Sequence, residues 1–298
     1  MNSPSVEKII DGKALALNIR EGLSKEVATL AGRHAGKRPG LATVLVGQDP
    51  ASAIYVRNKI KACKDAGIET IDRHLAAATS QEELLSIIDA LAKDERVHGI
   101  LVQLPLPAQI SVKRVLEVLP DGKDVDGFGV ANSGKLFQAK TLAELGDVFI
   151  PCTPYGVLKM LESIKFDPSG KEVCVIGRSN IVGKPMAHLL TMANATVTIC
   201  HSKTKDIAAV AKRADLIVAA IGKAKFVTAD MVKDGAVVID VGMNRLADSG
   251  LVGDCDYKAI EPKARFITPV PGGVGPMTIA MLLYNTVTAF KRSVNATR

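Results

Sequence analysis

The segment Val173–Pro185, VCVIGRSNIVGKP, constrains the fold of this chain more than any other. It predicts a short apolar strand that breaks at Gly177 and leads through Arg178 and Ser179 into a helix. Such an element binds dinucleotide phosphates, because free backbone N–H groups and the positive end of the helix dipole attract an anion. Only the first position of the G-x-G-x-x-G fingerprint is glycine here. An ordinary strand–helix crossover with a glycine turn remains an alternative.

The residues after the next predicted strand, Ala195–Cys200, indicate which dinucleotide is bound. In a Rossmann unit the residue about 20 positions beyond the glycines reads the adenine ribose, and NAD-binding proteins usually carry an acidic residue there. Residues 201–205 read His-Ser-Lys-Thr-Lys, and the first carboxylate is Asp206. A hydroxyl at Ser202 beside two lysines suits a 2′-phosphate, so the sequence favours NADP over NAD. The alternative is a solvated polar turn.

The rest of the hydrophobic pattern predicts an α/β fold. Before the nucleotide-binding segment, apolar runs alternate with helical patterns, which indicates a parallel sheet, at residues 41–46, 68–74 and 99–104. We expect two αβ domains flanking a cleft. The first covers 1–150 and is completed by a C-terminal helix over 277–298 that packs back on it. The second, over 151–276, is a Rossmann-type NADP-binding domain.

Several local features accompany this pattern. Ser52 and Thr153 are predicted to cap the helices that follow them. Residues 121–145 are polar and are interpreted as an irregular exit from the first domain. Residues 269–276, PVPGGVGP, are interpreted as a compact loop before the last helix.

Composition and charge narrow the classes of function. The chain has 298 residues, of which 47 % are hydrophobic and only 4 % aromatic, and tryptophan is absent. This scarcity of aromatic residues argues against a surface that stacks bases. The net charge is +7, but the basic residues are scattered. We therefore favour small anionic ligands over nucleic acid as partners.

The cysteines and the apolar runs predict the compartment. None of the five cysteines forms a CxxC pair, which argues against a disulfide framework and a structural zinc, so no metal is expected. The N-terminus lacks a targeting pattern, and no apolar run approaches the roughly 18 residues that span a bilayer. We expect a cytoplasmic protein without a membrane partner.

Tyr55 and Lys59 are candidate catalytic residues. They are four positions apart on a predicted helix and therefore share one face. A lysine beside a phenol in a partly apolar cleft can lose its proton near neutral pH and act as a base or acid. A Tyr–Lys pair on a wet helix face is the commoner explanation of this spacing. Short-chain dehydrogenases use Y-x-x-x-K after their Rossmann glycines, whereas here the pair comes first.

Two further polar residues stand where ligands bind. Gln103 follows a predicted parallel strand, and ligands bind outside the carboxyl ends of such strands. Asp126 in DVDG is able to pair with an amino-pyrimidine edge or simply to form a turn with Gly127. Considered alone, Gln103 is equally well explained as a polar strand end, and Asp126 as a turn residue.

Together these motifs identify a family. YVRNK, VQLPLP, KDVDG, PCTP, GRSNIVGKP and PVPGGVGPMT occur in this order. They resemble the bifunctional methylenetetrahydrofolate dehydrogenase/methenyltetrahydrofolate cyclohydrolase family over nearly the whole chain. The resemblance implies NADP-dependent oxidation of 5,10-methylenetetrahydrofolate, followed by hydrolysis of the methenyl product to 10-formyltetrahydrofolate.

The resemblance also implies roles for individual residues. Lys59 matches the catalytic lysine, Tyr55 its partner, Gln103 the glutamine that tunes the lysine, and Asp126 the aspartate that anchors the pterin. The substrate-binding positions are predicted to be Val102, Leu104, Pro271, Gly272, Gly273, Val274 and Gly275. The cofactor-binding positions are predicted to be Gly177, Arg178, Ser179, Ser202 near the 2′-phosphate and Met243 near the nicotinamide.

The resemblance further implies a homodimer formed through the nucleotide domain. The alternatives are a dehydrogenase-only member of the same family and a shikimate-dehydrogenase-like NADP oxidoreductase. The segment 132–149 is longer than expected between DVDG and PCTP, and its role is open. The synthetase domain of some relatives is absent, so we expect no ATP-dependent formate ligation.

Overall fold

The computed structural model describes residues 8–246 and 250–296. The absence of a targeting pattern was inferred in part from residues 1–7, which lie outside this range. The chain divides into two compact units, which we name after a central residue of each. The Lys59 unit comprises Leu17–Lys135, Asp147–Cys152 and the segment from Ile279 onward. The Gly177 unit comprises the residues up to Ala16, Leu136–Gly146 and Thr153–Thr278.

The elements of the first half of the chain alternate as the hydrophobic pattern predicts. In order they are α1 (Gly12–Arg33), β1 (Gly40–Val46), α2 (Pro50–Asp65), β2 (Glu69–Leu75), α3 (Gln81–Lys93), β3 (Gly99–Val102), α4 (Val112–Val118) and α5 (Val130–Gln138). The three strands form a parallel sheet in the order β2-β1-β3. The prediction of a parallel sheet in this region is confirmed.

The core of the Lys59 unit lies against the central strand. Every residue of β1 is buried, as expected for a parallel strand covered on both faces. On α3 the buried stripe consists of Leu84, Ile88 and Leu91, and these residues belong to the same cluster as Val44 and Ile100. Burial of each such side chain contributes about 1.5–3 kcal/mol, so this stripe holds α3 on the sheet.

The second half of the chain forms the nucleotide-type sheet. The elements are α6 (Cys152–Ser163), β4 (Glu172–Ile176), α7 (Gly183–Met192), β5 (Thr196–Cys200), α8 (Ile207–Ala211), β6 (Leu216–Ala219), β7 (Val237–Asp240), β8 (Asn244–Leu246), β9 (Gly250–Val252), α9 (Tyr257–Ile260), β10 (Phe266–Ile267) and α10 (Val274–Ala296). Five parallel strands lie in the order β10-β7-β6-β4-β5, and β8 pairs with β9 in a separate antiparallel hairpin. After β4 the chain adds β5 on one side of it and then returns to add β6 on the other side. The topological switch point therefore lies between β4 and β6, at the carboxyl ends of these strands.

Two predicted helix caps are wrong. Helix α2 is capped by Asp49, whose carboxylate accepts a 2.7 Å hydrogen bond from the N–H of Ser52. Pro50 then occupies the first turn, where its missing N–H costs nothing. Thr153 lies inside α6, which begins one residue before it. A proline in the first turn is equally compatible with this earlier start.

Two predicted loops are partly helical. The segment 121–145 contains α5 and a 3₁₀ turn over Leu142–Leu145. Helix α5 has only nine residues, one of which is Gly134, so its periodic pattern is too short to have revealed it. Helix α10 begins at Val274, inside the predicted 269–276 loop, because Pro276 falls in its first turn.

None of the helices within residues 8–246 and 250–296 combines the length and apolar character needed to cross a bilayer.

Candidate functional site

Lys59 lies on α2 with only 4 % of its surface exposed. Its Nζ donates a 3.1 Å hydrogen bond to Oε1 of Gln103 and lies 4.9 Å from the ring centroid of Tyr55. The two α2 residues meet because they are one helical turn apart. A cation over an aromatic face gains about 0.5–2 kcal/mol, depending on desolvation. The structure therefore brings together three of the predicted catalytic residues.

Gln103 directly follows β3 and is fixed at both ends. Its backbone N–H donates to the carbonyl of Val44 at 2.9 Å, which extends the sheet by one residue. Its Nε2 donates to the carbonyl of Leu104 at 2.6 Å, so Oε1 is the atom directed to Lys59. Of the two flanking positions predicted to bind substrate, Val102 is buried and Leu104 is partly exposed.

The KDVDG motif divides into structural and candidate functional residues. Lys123 donates to the carbonyls of Ala92 and Asp94 at 2.8 and 2.9 Å, and these carbonyls are at the C-terminal end of α3. A cation at this end of a helix satisfies orphan carbonyls and complements the dipole. Burial lowers the pKa of Lys123, against the opposing effect of Asp94. Lys123 is therefore a helix cap.

Asp124 of the same motif is a buried anchor. Its carboxylate accepts hydrogen bonds from the N–H groups of Phe128 and Gly129, at 3.2 and 2.8 Å, and from Nδ2 of Asn132 at 2.8 Å. Burial raises the pKa of Asp124 to about 6, although these three bonds act in the opposite direction. Asp124 thus joins the turn to the first residues of α5.

Asp126 lies on the other side of this turn and is only partly buried by surface area. Burial nevertheless raises its pKa, whereas the charge of Lys59 and a hydrogen bond with Cys152 lower it. The charge of Lys59 acts on the Asp126 carboxylate, so Asp126 lies within electrostatic range of the Tyr55–Lys59–Gln103 group. All four predicted catalytic residues therefore belong to one region of the Lys59 unit.

Asn285 on α10 holds the backbone around Asp126. Its Nδ2 donates to the carbonyls of Val125 and Ile150, at 2.8 and 3.1 Å. The thiol of Cys152 donates to the same Val125 carbonyl at 3.3 Å. Burial, followed by the charge of Asp126, raises the pKa of Cys152 well above its usual value, so this thiol is neutral and structural.

The turn after β4 shows why glycine is needed there. Gly177 has φ +132°, and a Cβ at this position would overlap the carbonyl oxygen of Ala220 at the end of β6. A Cβ at Gly183 would overlap the carbonyl oxygen of Gly177. Gly183 thus provides the close helix–strand packing that the third glycine of the fingerprint provides elsewhere. Gly183 was not among the predicted cofactor-binding positions.

Ser179 organises the start of α7. Its Oγ accepts hydrogen bonds from the N–H groups of Val182 and Gly183, at 3.1 and 3.3 Å. Arg178 beside it is exposed. The turn is longer than predicted, because the helix begins at Gly183 rather than directly after Ser179.

The predicted 2′-phosphate residues lie in a tight turn after β5. The N–H of His201 donates to Oγ1 of Thr204 at 2.9 Å, and the N–H of Thr204 donates to the carbonyl of His201 at 2.8 Å. Ser202, Lys203 and Lys205 are exposed on this turn. The turn is next to Gly177, whose N–H donates to the carbonyl of Cys200.

Gly272 and Gly273 in the PGGVG segment occupy positions that require glycine, since a Cβ on Gly273 would overlap the carbonyl oxygen of Pro269. The carbonyl of Gly272, which has φ +109°, accepts a 2.9 Å hydrogen bond from the N–H of Lys13. A Cβ on Gly12 would overlap the carbonyl oxygen of Gly273. The five predicted positions of this segment belong to the Gly177 unit, and Val274 and Gly275 form the first residues of α10.

Two buried aspartates at the carboxyl edge of this sheet were missed by the sequence analysis. Asp254 is fully buried and accepts from the N–H groups of three consecutive residues, Ile221, Gly222 and Lys223. Asp240, the last residue of β7, accepts from three other N–H groups, and burial raises its pKa to about 6. Because most of their partners are backbone groups distant in the chain, no local pattern marks these residues.

Met243 lies in the loop after β7, and 51 % of its surface is exposed. An exposed methionine at the ligand-binding edge of a Rossmann sheet is consistent with contact to a flat apolar ring.

Comparison with known proteins decides the family. Residues 10–126 match the family model described as tetrahydrofolate dehydrogenase/cyclohydrolase, catalytic domain. Residues 151–294 match the one described as tetrahydrofolate dehydrogenase/cyclohydrolase, NAD(P)-binding domain. The chain belongs to the tetrahydrofolate dehydrogenase/cyclohydrolase family. The predicted family, the α/β fold with a Rossmann-type domain and the enzyme class are confirmed.

Similarity to individual members of the tetrahydrofolate dehydrogenase/cyclohydrolase family extends over nearly the full length. The bifunctional protein FolD of Methylibium petroleiphilum is 56 % identical over 287 residues, which cover 96 % of this chain and 99 % of that protein. The solved FolD structure from Campylobacter jejuni is 47 % identical with a TM-score of 0.91, covering 96 % and 99 % of the two chains. The Trypanosoma brucei enzyme, solved with NADP cofactor and an inhibitor, is 41 % identical with a TM-score of 0.92, covering 96 % and 98 %.

Proposed function

We propose that this chain is a bifunctional enzyme of folate one-carbon metabolism. It oxidises 5,10-methylenetetrahydrofolate with NADP and then hydrolyses the methenyl product to 10-formyltetrahydrofolate. The observation that carries the proposal is the buried Lys59, bonded through Nζ to Gln103 and facing Tyr55, in a chain that also has an NAD(P)-binding domain.

Lys59 performs the proton transfer of the hydrolytic step. Loss of a hydride from the one-carbon unit leaves a methenyl cation. A water oxygen adds to its carbon, and the bond from that carbon to N5 then breaks, with a proton going to N5, which leaves the formyl group on N10. The added water must lose a proton, which Nζ of Lys59 accepts. Gln103 orients this nitrogen through Oε1, and Tyr55 covers its other side. Asp126 binds the N–H edge of the pterin and thereby positions the one-carbon unit.

The residues of the Gly177 unit fit NADP, which supplies the hydride acceptor when it is bound. Close packing at Gly177 and Gly183 allows a backbone to approach the pyrophosphate, and the exposed Ser202, Lys203 and Lys205 offer a hydroxyl and two cations to a 2′-phosphate. The similarity to the Trypanosoma brucei enzyme, which binds NADP, supports the same choice.

Three finer statements belong to the same proposal. The chain acts as a homodimer and functions in the cytoplasm without a nucleic-acid partner. The catalytic domain covers residues 1–150 and is completed by 277–298, and the cofactor domain covers 151–276. The PGGVG segment and the residues flanking Gln103 contact the folate.

A two-wavelength assay with methylenetetrahydrofolate tests the proposal, run in parallel with NADP and with NAD. It follows methenyl absorbance and reduced cofactor together. We expect NADPH to form with little methenyl accumulation, and NAD to support less turnover. Methenyl that accumulates in step with NADPH, after subtraction of spontaneous hydrolysis, would instead indicate a dehydrogenase-only member. The absence of turnover with either cofactor would overturn the proposal.

A further inference from the structure

The carboxylate of Asp254 fastens together two loops of the Gly177 unit. Its Oδ2 accepts from the N–H groups of Ile221 and Gly222 at 2.7 and 2.9 Å. Its Oδ1 accepts from the N–H of Lys223 at 2.8 Å and from Nδ2 of Asn244 at 2.9 Å. Residues 221–223 follow β6, whereas Asn244 comes four residues after the end of β7. One side chain therefore sets the relative position of both loops.

The loop after β7 packs closely on the side chain of Asp254. A Cβ on Gly242 would overlap Oδ1 of Asp254, so the loop after β7 passes directly over the carboxylate. Asp240 supports it from the other side, because its Oδ1 accepts from the N–H groups of Gly242 and Asp254 at 2.9 Å each. A Cβ on Gly253 would in turn overlap Oδ2 of Asp240. These contacts tie the loop after β7 to both carboxylates.

The sheet topology indicates which part of the cofactor these loops contact. The strand order is β7-β6-β4-β5, and a dinucleotide lies across the carboxyl ends of such strands at the switch point. The turn after β5 carries Ser202, the proposed 2′-phosphate contact, and the turn after β4 carries the pyrophosphate glycine Gly177. The remaining half of NADP, which ends in nicotinamide, therefore extends over the loops that follow β6 and β7.

We propose that Asp254 is a positioning residue for hydride transfer, because it fixes the two loops that hold the nicotinamide end of NADP. The proposal rests on the NADP-dependent oxidation proposed above. It adds a residue more than 70 positions beyond the glycine turn to the determinants of that step. Asp254 acts through the backbone of 221–223 and through Asn244, and it does not itself touch the reacting atoms.

The test variant is Asp254→Asn, which keeps the shape of the side chain but replaces one acceptor oxygen with an NH₂ donor. At least one of the N–H groups of 221–223 or Asn244 then faces a donor. We expect the dehydrogenase kcat to fall on the order of 100-fold, which is the typical result of a misplacement near 1 Å. Affinity for adenosine 2′,5′-bisphosphate, which lacks the nicotinamide half, should stay at the wild-type value.

Asp215→Asn is the matched control. Asp215 also binds a backbone N–H, that of Glu172 at 3.1 Å, and pairs with Lys233 at 2.6 Å, but at the amino ends of β4 and β6. The Asp215→Asn substitution should leave the dehydrogenase kcat unchanged. Asn244→Ala removes one of the four donors to Asp254 and should produce a smaller loss of the same kind. It keeps the test valid if Asp254→Asn fails to fold.

The rate at which each variant hydrolyses supplied methenyltetrahydrofolate shows whether the variant is folded and whether its cyclohydrolase activity is intact. Loss of hydride transfer with intact hydrolysis and intact adenosine 2′,5′-bisphosphate affinity supports the positioning role. Equal losses of bisphosphate affinity and kcat, or a wild-type kcat in both variants, overturn it. If the wild-type protein itself does not reduce NADP, the proposed function fails instead.

Discussion

The candidate site of the Lys59 unit is built mainly from side chains, whereas that of the Gly177 unit is built mainly from the backbone. In the Lys59 unit, side chains meet side chains: Nζ of Lys59 binds Gln103 and lies over Tyr55. In the Gly177 unit, the contacts are made by the backbone. Glycines permit close approach, and the buried Asp254 binds three successive N–H groups.

This difference reflects the two tasks. Proton transfer requires a titratable group at a defined atom, so it depends on individual side chains. Binding a long anionic cofactor across a sheet edge requires a shaped backbone that presents N–H groups, so it depends on turns and on what holds them. Substitutions should therefore separate the two activities.

The largest separation is expected from Lys59→Met, which removes the proton acceptor and keeps the apolar stem. Hydrolysis of supplied methenyltetrahydrofolate should fall about 10³-fold, within the range typical of a lost general base. Affinity for NADP, measured by calorimetry, should not change. Lys61→Met, at an exposed position of the same helix, is the control. Hydrolysis that survives in Lys59→Met would remove Lys59 from its proposed role.

The second prediction concerns a feature that the two units share. Asp124 and Asp240 are buried, one in each unit, and burial raises the pKa of each to about 6 from 3.8. A raised folded-state pKa means that protonation favours the folded state. The stabilisation is complete below pH 3.8 and is lost as the pH rises through 6. Each shift corresponds to about 3 kcal/mol of unfolding free energy.

Asp124→Asn and Asp240→Asn test this by urea unfolding at pH 7 and pH 3.5. From the higher to the lower pH, the wild-type protein should gain unfolding free energy relative to each variant. Asp94→Asn should show a small change of the opposite sign, since hydrogen bonds from Arg96 lower the pKa of Asp94 to about 2 and its contribution starts to fall only near pH 3.8 and is lost as the pH falls through 2. A difference from wild type that does not vary with pH would show that burial does not control these two carboxyl groups.

A smaller effect is expected from Ser202→Asp, which sharpens the account of the cofactor site. An added carboxylate repels the 2′-phosphate, and at an exposed position this costs about 1 kcal/mol or slightly more, so NADP affinity should fall about tenfold. NAD, which lacks this phosphate, should be much less affected. The ratio of the two dissociation constants is the relevant measurement. Equal losses for the two cofactors would place Ser202 away from the phosphate.

Much of the architecture was predictable from the sequence. The buried strands β1, β4 and β6 are continuous apolar runs, and continuous runs are the pattern of parallel sheets covered on both faces. The pairing of Tyr55 with Lys59 follows from their spacing on one helix. The meeting of Lys59 with Gln103 followed only from the family resemblance, because the two residues belong to different elements.

The features that were missed depend on long-range contacts. Asp254 binds residues 221–223, and Asn285 binds the carbonyl of Val125, across large separations in the chain. Such contacts leave no periodicity in the sequence. Helix α5 was missed for a different reason. It is short and contains Gly134, which weakens a helical pattern, and its first turn is held by Asp124 through Gly129 and Asn132.

The rate of methenyltetrahydrofolate hydrolysis in Gly177→Ala tests most directly whether the two sites are separable. The added methyl group overlaps the Ala220 carbonyl at a φ of +132°, so cofactor binding should be lost. Gly170→Ala, with a φ of +67° but open space around it, controls for backbone strain alone. If the two sites are separable, hydrolysis proceeds at the wild-type rate in both variants. Hydrolysis that fails in Gly177→Ala as severely as in Lys59→Met would contradict this separation.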